Sequence, residues 1–187
     1  MTNRTRKKLI FACMGGAILL AGTFFNGCRV DPKVLPETTS EQVKFYIPDG
    51  FPQPVYTFAG NEVTLAGFTL GRKLFYDPRL SADNTISCGF CHQAPASFAN
   101  ANHALSHGIG GQFGRRNAPV LVNLAWNQSF MWDGGINHIE NQPPAPIQNP
   151  VEMGETMSNV ILKLSAVPSY HDDFKAAFGD DSITTQR

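Results

Sequence analysis

Cysteine is scarce in this chain. There are four in 187 residues, Cys13, Cys28, Cys88 and Cys91. Two of them fall in or at the end of an apolar leader, so no spare pair is left for a framework of disulfides. Basic clusters are missing as well. Past residue 8 no stripe of Lys and Arg follows, which removes nucleic acid from the expected partners. No internal repeat is visible. No alternation of strand and helix patterns surrounds the one close cysteine pair, which speaks against a thioredoxin-like βαβ unit.

The formal charge of zero, from 15 basic and 15 acidic residues, hides an asymmetry. Residues 1–8 hold Arg4, Arg6, Lys7 and Lys8 and no acid, so residues 28–187 are acidic by four charges. A mildly acidic surface suits a basic partner. After the basic start comes an uncharged apolar run from Leu9 to Gly27, then Cys28. A basic n-region followed by an apolar h-region reads as a secretory signal peptide over residues 1–27. Gly27-Cys28 resembles the end of a bacterial lipobox, in which the cysteine is lipidated. An uncleaved apolar anchor is the alternative. Either way the domain is tethered outside the cytoplasm. The expectation is a periplasmic, membrane-anchored lipoprotein of a Gram-negative bacterium, held to the membrane by an N-terminal lipid on Cys28.

Cys88-Gly89-Phe90-Cys91-His92 is the C-x-x-C-H pattern of c-type haem attachment. Two thiols at i and i+3 add across the vinyl groups of one haem, and the following imidazole faces the iron. Other readings use the same residues. A Cys88–Cys91 disulfide leaves His92 unexplained. Cys88, Cys91, His103 and His107 come close to zinc-finger ligand spacing, but Pro95 and Ala101 stand where such a finger carries its core Phe and Leu. Thiols kept reduced for haem at an exported site fit the same compartment as the leader.

Residues 28–60, with Pro32, Pro36, Pro48, Pro52 and Pro54, read as a tether and lead-in. The domain itself is expected over 61–187. Leu65, Phe68 and Phe75 predict one apolar face of a helix over 64–76, and Leu70 and Leu74 another, so burial on both sides is expected. Asp77-Pro78 ends it. A short helix is predicted to carry Cys91 and His92. Residues 93–150 are dominated by Gly and Pro yet rich in aromatics, and such long apolar loops need a large surface to pack on, which a haem supplies. Ser158–Leu164 predicts a short helix. A last helix opens at Pro168 and closes at Gly179, with Tyr170, Phe174 and Phe178 as its core stripe. The fold class is therefore all-α, with long loops packed around haem.

Several phrases in fixed order resemble one family: Leu70 to Ser81, Ile86-Ser87-Cys88, the C-x-x-C-H, Arg116-Asn117-Ala118-Pro119, Trp132-Asp133-Gly134, and Asn149 to Met153. Over roughly residues 50–187 the chain looks like the N-terminal, peroxidatic haem domain of the bacterial dihaem cytochrome c peroxidases, a group that includes the MauG-like proteins. The resemblance implies a cytochrome-c-like fold, one covalently bound haem c, and reduction of hydrogen peroxide to water with electrons from a small donor cytochrome or other redox protein. It implies His92 as proximal iron ligand, Glu152 as the distal acid–base carboxylate and Gln142 as the distal glutamine. It also implies Trp132 on the electron route, His107 near a displaceable second iron ligand, and Asn117 at a calcium site between domains. Met131 stands where the family often has Phe. The family's second haem domain has no counterpart before Arg187. The chain is accordingly expected to be part of a longer reading frame or to work with a separate partner, and calcium to bind only with a second domain.

These residue types suit that chemistry. A carboxylate held near the iron without binding it can carry a proton from one peroxide oxygen to the other, and an amide can donate and accept hydrogen bonds to orient the substrate. The rival expectation is a monohaem electron carrier without peroxidase activity, with Met131, Met153 or Met157 as permanent second ligand. His103 is the alternative to His107. Trp126 is expected to pack on the porphyrin, and His138 and His171 to lie at the surface.

Overall fold

A computed structural model describes residues 42–187. The expected leader 1–27 with Cys13, the expected lipidation site Cys28 and the first part of the lead-in, residues 28–41, lie outside the described residues. Among those described there are helices, turns and isolated antiparallel bridges but no strand, in keeping with the all-α expectation. None of these helices is long and apolar enough to cross a membrane.

Thr64 opens α1 (Leu65–Phe75) by accepting a hydrogen bond from the Gly67 N–H at 3.0 Å. Arg72 and Lys73 occupy its last turn, where a cation offsets the helix dipole. Asp77 then caps the turn Pro78–Leu80 by accepting from the Arg79 N–H at 2.8 Å. The remaining helices are α2 (Cys88–Cys91), α3 (Pro144–Gln148), α4 (Met157–Ser165) and α5 (Pro168–Phe178). The helix α4 is capped by Thr156, and α5 stops at Gly179 in a left-handed conformation, φ 87°.

The principal helix packing is α1 on α5, with α4 against both α3 and α5. Leu70, Leu80, Ile86, Ile147, Met153, Val160, Leu164, Tyr170 and Phe174 form one core. Tyr170 is fully buried, and its hydroxyl donates to the buried Asp77 carboxylate. Burial alone would raise the Asp77 carboxyl, but hydrogen bonds from Tyr170 and Arg79 outweigh it and hold the group below the usual range. Lys73 bonds Asp173 at 2.6 Å and lies 4.2 Å from the Tyr170 ring centre. Lys163 pairs with buried Glu155 at 2.5 Å and donates to the Ser81 carbonyl at 2.7 Å. It thereby ties the approach to Cys88 onto α4.

Several expectations are corrected. His92 is not on the helix with Cys91; it is the residue that ends it, with φ −104° and ψ 83°. The helix α1 is not buried on both sides, since Phe68 is 54% exposed. The stripe on α5 is core only at Tyr170 and Phe174; Phe178 is 42% exposed and rests on Phe174. The proline cluster expected as loop contains α3, because proline needs no N–H donor in a helix's first turn. Trp126 packs on Phe45 and Phe51 of the lead-in, not at the cysteine pair, and its indole N–H donates to the Pro52 carbonyl at 2.8 Å. The stretch around Tyr56 is likewise docked, through Tyr56 to Glu140 at 2.6 Å.

His171 gives a pH-dependent contact. Its Nδ1 faces the Asp181 carbonyl at 3.2 Å and its Nε2 faces the Ser165 carbonyl at 3.0 Å. A carbonyl only accepts, so both bonds form only with the doubly protonated ring, and these bonds raise its pKa. The resulting stability is present below the ordinary imidazole value of about 6.5 and is lost as pH rises through the higher folded value. Urea unfolding of wild type at about pH 6 and about pH 8 should show that loss, small because the ring is solvated. His171→Gln should abolish it.

Candidate functional site

Ile86 anchors the approach to α2 in the core, and Cys88 and Cys91 follow as free, half-buried thiols. Burial pushes the Cys88 thiol up to about 11. Cys91 is raised by burial and by the negative charge of Glu152. Both are therefore kept as thiols. Gly89 lies against Tyr76: a Cβ there would be 2.5 Å from the tyrosine ring, so α2 meets the end of α1 closely and a larger residue would require that ring to turn aside.

His92 is oriented by a loop. Ser97 and Phe98 are both left-handed, φ 55° and 60°, and turn the chain back so that Gln93 N–H reaches the Ala99 carbonyl at 3.0 Å. This brings the Phe98 carbonyl to 2.7 Å from His92 Nδ1. The carbonyl can only accept, so Nδ1 carries the proton and Nε2 keeps its lone pair. A backbone acceptor behind one ring nitrogen is the arrangement that fixes an imidazole for metal ligation through the other. Phe75 stands beside the ring, centroid distance 6.4 Å.

Two further loops close on Cys91. The Cys91 Sγ is 3.5 Å from the His107 carbonyl. The next residues, Gly108 and Ile109, lie directly on the Val151-Glu152 backbone, with Ile109 N–H donating to the Glu152 carbonyl at 2.8 Å. Glu152 is half-buried. Burial raises its carboxyl, opposed by a hydrogen bond from the Asn149 side chain. The structure thus brings Cys91, the His107 loop and Glu152 together. The His107 ring lies between His103 and Phe113, at centroid distances of 4.7 and 4.5 Å.

A tight loop, closed by Phe130 N–H to the Ile136 carbonyl at 2.7 Å, carries Met131 and Trp132. Gln142 Nε2 donates to Met131 Sδ at 3.6 Å. The Trp132 indole donates to the Asn117 carbonyl at 2.7 Å while its ring is 64% exposed. Asn117 Oδ1 is buried without a donor, the setting of an acceptor whose partner comes from elsewhere. Met153 sits in the core and Met157 packs against it. Among the described residues no group of three or more His, Cys, Asp and Glu is arranged to hold a metal ion, so the four zinc-spaced residues do not form a site.

The residues present fit a haem: two free thiols three residues apart, an imidazole whose Nδ1 is committed to a backbone carbonyl, and exposed apolar side chains close by, Phe90 between the cysteines and Phe113 on the His107 ring. A hollow of about 1170 Å³ lies elsewhere, among Phe45, Phe58, Trp126 and Phe178, and none of Cys88, Cys91, His92, Gln142 or Glu152 lines it. Residues that sequence reasoning missed are Phe98, Gly108 and Asn149. The signals were the glycine-rich stretch 108–114 for Gly108 and the phrase Asn149 to Met153 for Asn149; Phe98 had none.

The sequence matches the di-haem cytochrome c peroxidase family over residues 65–187, and the chain belongs to that family. It is 37% identical over 144 residues to the methylamine utilization protein MauG of Methylorubrum extorquens, covering 75% of this chain and 38% of that protein. It is 39% identical over 127 residues to the cytochrome c551 peroxidase of Pseudomonas aeruginosa, covering 68% and 36%. A solved MauG-like protein associated with microbial copper homeostasis superposes with a TM-score of 0.66 at 30% identity, covering 73% of this chain and 40% of that one. The chain spans two fifths or less of the length of these relatives. Membership of a di-haem family implies haem c as cofactor.

Proposed function

We propose that residues 61–187 form a cytochrome-c-like haem domain at which hydrogen peroxide is reduced to water, with electrons from a cytochrome c or similar donor. Cys88 and Cys91 would hold the haem by thioether bonds, and His92 Nε2 would ligate its iron. The observation that carries this reading is His92 Nδ1 committed to the Phe98 carbonyl at 2.7 Å directly after two free thiols. The bound haem supplies the iron at which the peroxide oxygen–oxygen bond is cleaved.

The chain's own residues supply the proton handling. Cleavage requires a proton to leave the near oxygen and arrive at the far one. Glu152 performs both halves. Its raised carboxyl binds and returns a proton more readily near neutral pH than an ordinary glutamate does. Gln142 offers both a donor and an acceptor to orient the substrate. His107, on the loop that packs on Glu152, would offer a second imidazole to the haem iron in a resting state. Trp132 carries electrons inward. Asn117 contributes to calcium only with oxygens from a second domain, since calcium takes about six to eight. The basic start, the apolar run and Cys28 support export and a lipid anchor.

The test is direct. Wild-type chain is produced with a cytochrome maturation system, denatured and stained for haem on a gel. A stained band is expected, and none for Cys88→Ser combined with Cys91→Ser. A colourless wild-type band beside a stained control cytochrome overturns the reading.

A further inference from the structure

Met131 occupies an unusual setting. Its backbone is left-handed, φ 68°. Its side chain is 39% exposed, whereas Met153 is 4% exposed in the core, and Met157 packs against that core. Its sulfur accepts the Gln142 Nε2 hydrogen bond at 3.6 Å, and a thioether is a weak acceptor. The loop around it is held by backbone bonds between Phe130 and Ile136 at 2.7 and 3.4 Å. A change at the sulfur therefore acts on Gln142 and leaves the loop in place.

We propose that Met131 is an oxidation site through which peroxide limits its own reduction. The inference rests on the peroxide reading above. The sulfur lone pair attacks one oxygen of hydrogen peroxide and the oxygen–oxygen bond breaks. That oxygen stays on sulfur, and the other leaves as water with both protons. Sulfur is oxidised by two electrons and peroxide is reduced by two. The product sulfoxide is polar and a much better acceptor than the thioether. Gln142 Nε2, already directed at this atom, is held there and is no longer free to orient substrate. Methionine sulfoxide reductases reverse the modification, so the loss is recoverable.

The haem-loaded chain is exposed to graded hydrogen peroxide, digested, and each methionine scored by mass spectrometry for one added oxygen. Met131 should be oxidised ahead of Met157 and Met153. Turnover should fall in step with it and return after treatment with a methionine sulfoxide reductase. Met131→Leu, measured against its own untreated activity, should inactivate several-fold more slowly. Loss of turnover with Met131 intact, or Met131→Leu inactivating at the wild-type rate, overturns the proposal. A failure of the peroxide reading is separable, because the untreated chain then shows no turnover. In that case the Gln142 side-chain amide proton still reports on the modification: a downfield move on oxidation supports capture, and an unmoved resonance rejects it.

Discussion

Glu152→Gln should lower peroxide turnover by about 10²–10⁴-fold, the usual worth of positioned acid–base transfer, while the haem stays attached. The substitution keeps the shape of the side chain and removes only its ability to take and return a proton. Stability gives a second readout. Burial raises the Glu152 carboxyl in the folded chain, so its contribution to stability is present below the ordinary glutamate range and lost as pH rises through the folded value. At neutral pH the ionised group is a cost to the fold. Glu152→Gln should therefore leave the melting temperature unchanged or slightly higher while activity collapses, whereas a residue needed only for structure would lose both. The pH profile separates the roles further. Activity that needs the ionised carboxylate should rise with pH through a limb displaced above the ordinary glutamate value, and that limb should vanish in the variant. Turnover within a few-fold of wild type would remove Glu152 from the mechanism.

What the sequence revealed and what it concealed follow one physical division. The spacing of Cys88, Cys91 and His92 is a local chemical pattern and can be read directly. The bounds of α1, α4 and α5 were also legible within a residue or so, because stop signals and apolar periodicity are local: Asp77-Pro78 after α1, Pro168 at the first position of α5 and Gly179 after its last one. The acceptor behind His92 was not legible. It is a backbone carbonyl, positioned by two consecutive left-handed residues, Ser97 and Phe98, neither of which is a type that announces that conformation. Two-sided burial of α1 failed for a related reason. Periodicity shows which side chains share a face but not whether another element covers it, and the face bearing Phe68 is left exposed. Trp126 shows the same limit, since its partners Phe45 and Phe51 lie some 75 to 80 residues away in a segment that reads as spacer. The joining of the His107 loop to Glu152 is a contact between backbones, and composition carries no trace of it beyond a surplus of glycine.

That contact makes Gly108→Ala the most damaging small substitution expected in the domain. Gly108 has φ −112° and ψ −167°, values that any residue adopts, so the requirement for glycine is one of space. A Cβ at this position would lie 2.1 Å from the Val151 carbonyl oxygen, 2.6 Å from the Glu152 oxygen and 2.7 Å from the Glu152 Cα. All three are backbone atoms, so no side chain can turn aside. The loops must separate. The bond from Ile109 N–H to the Glu152 carbonyl at 2.8 Å is strained or broken as they do. Forced overpacking costs about 1–3 kcal/mol, and the lost hydrogen bond adds about 1 kcal/mol. The melting temperature should fall by several degrees. Turnover should fall with it, because the displaced segment is the one that carries Glu152. Gly110→Ala is the comparison. Gly110 is left-handed, φ 61°, with nothing within 4 Å of its Cβ position, so alanine there costs about 1–2 kcal/mol of backbone strain and leaves the contact with Glu152 untouched. Gly110→Ala should thus lose some stability and keep turnover, while Gly108→Ala loses both. Equal turnover in the two variants would mean that the packing of residue 108 on Glu152 does not hold the carboxylate where the chemistry needs it.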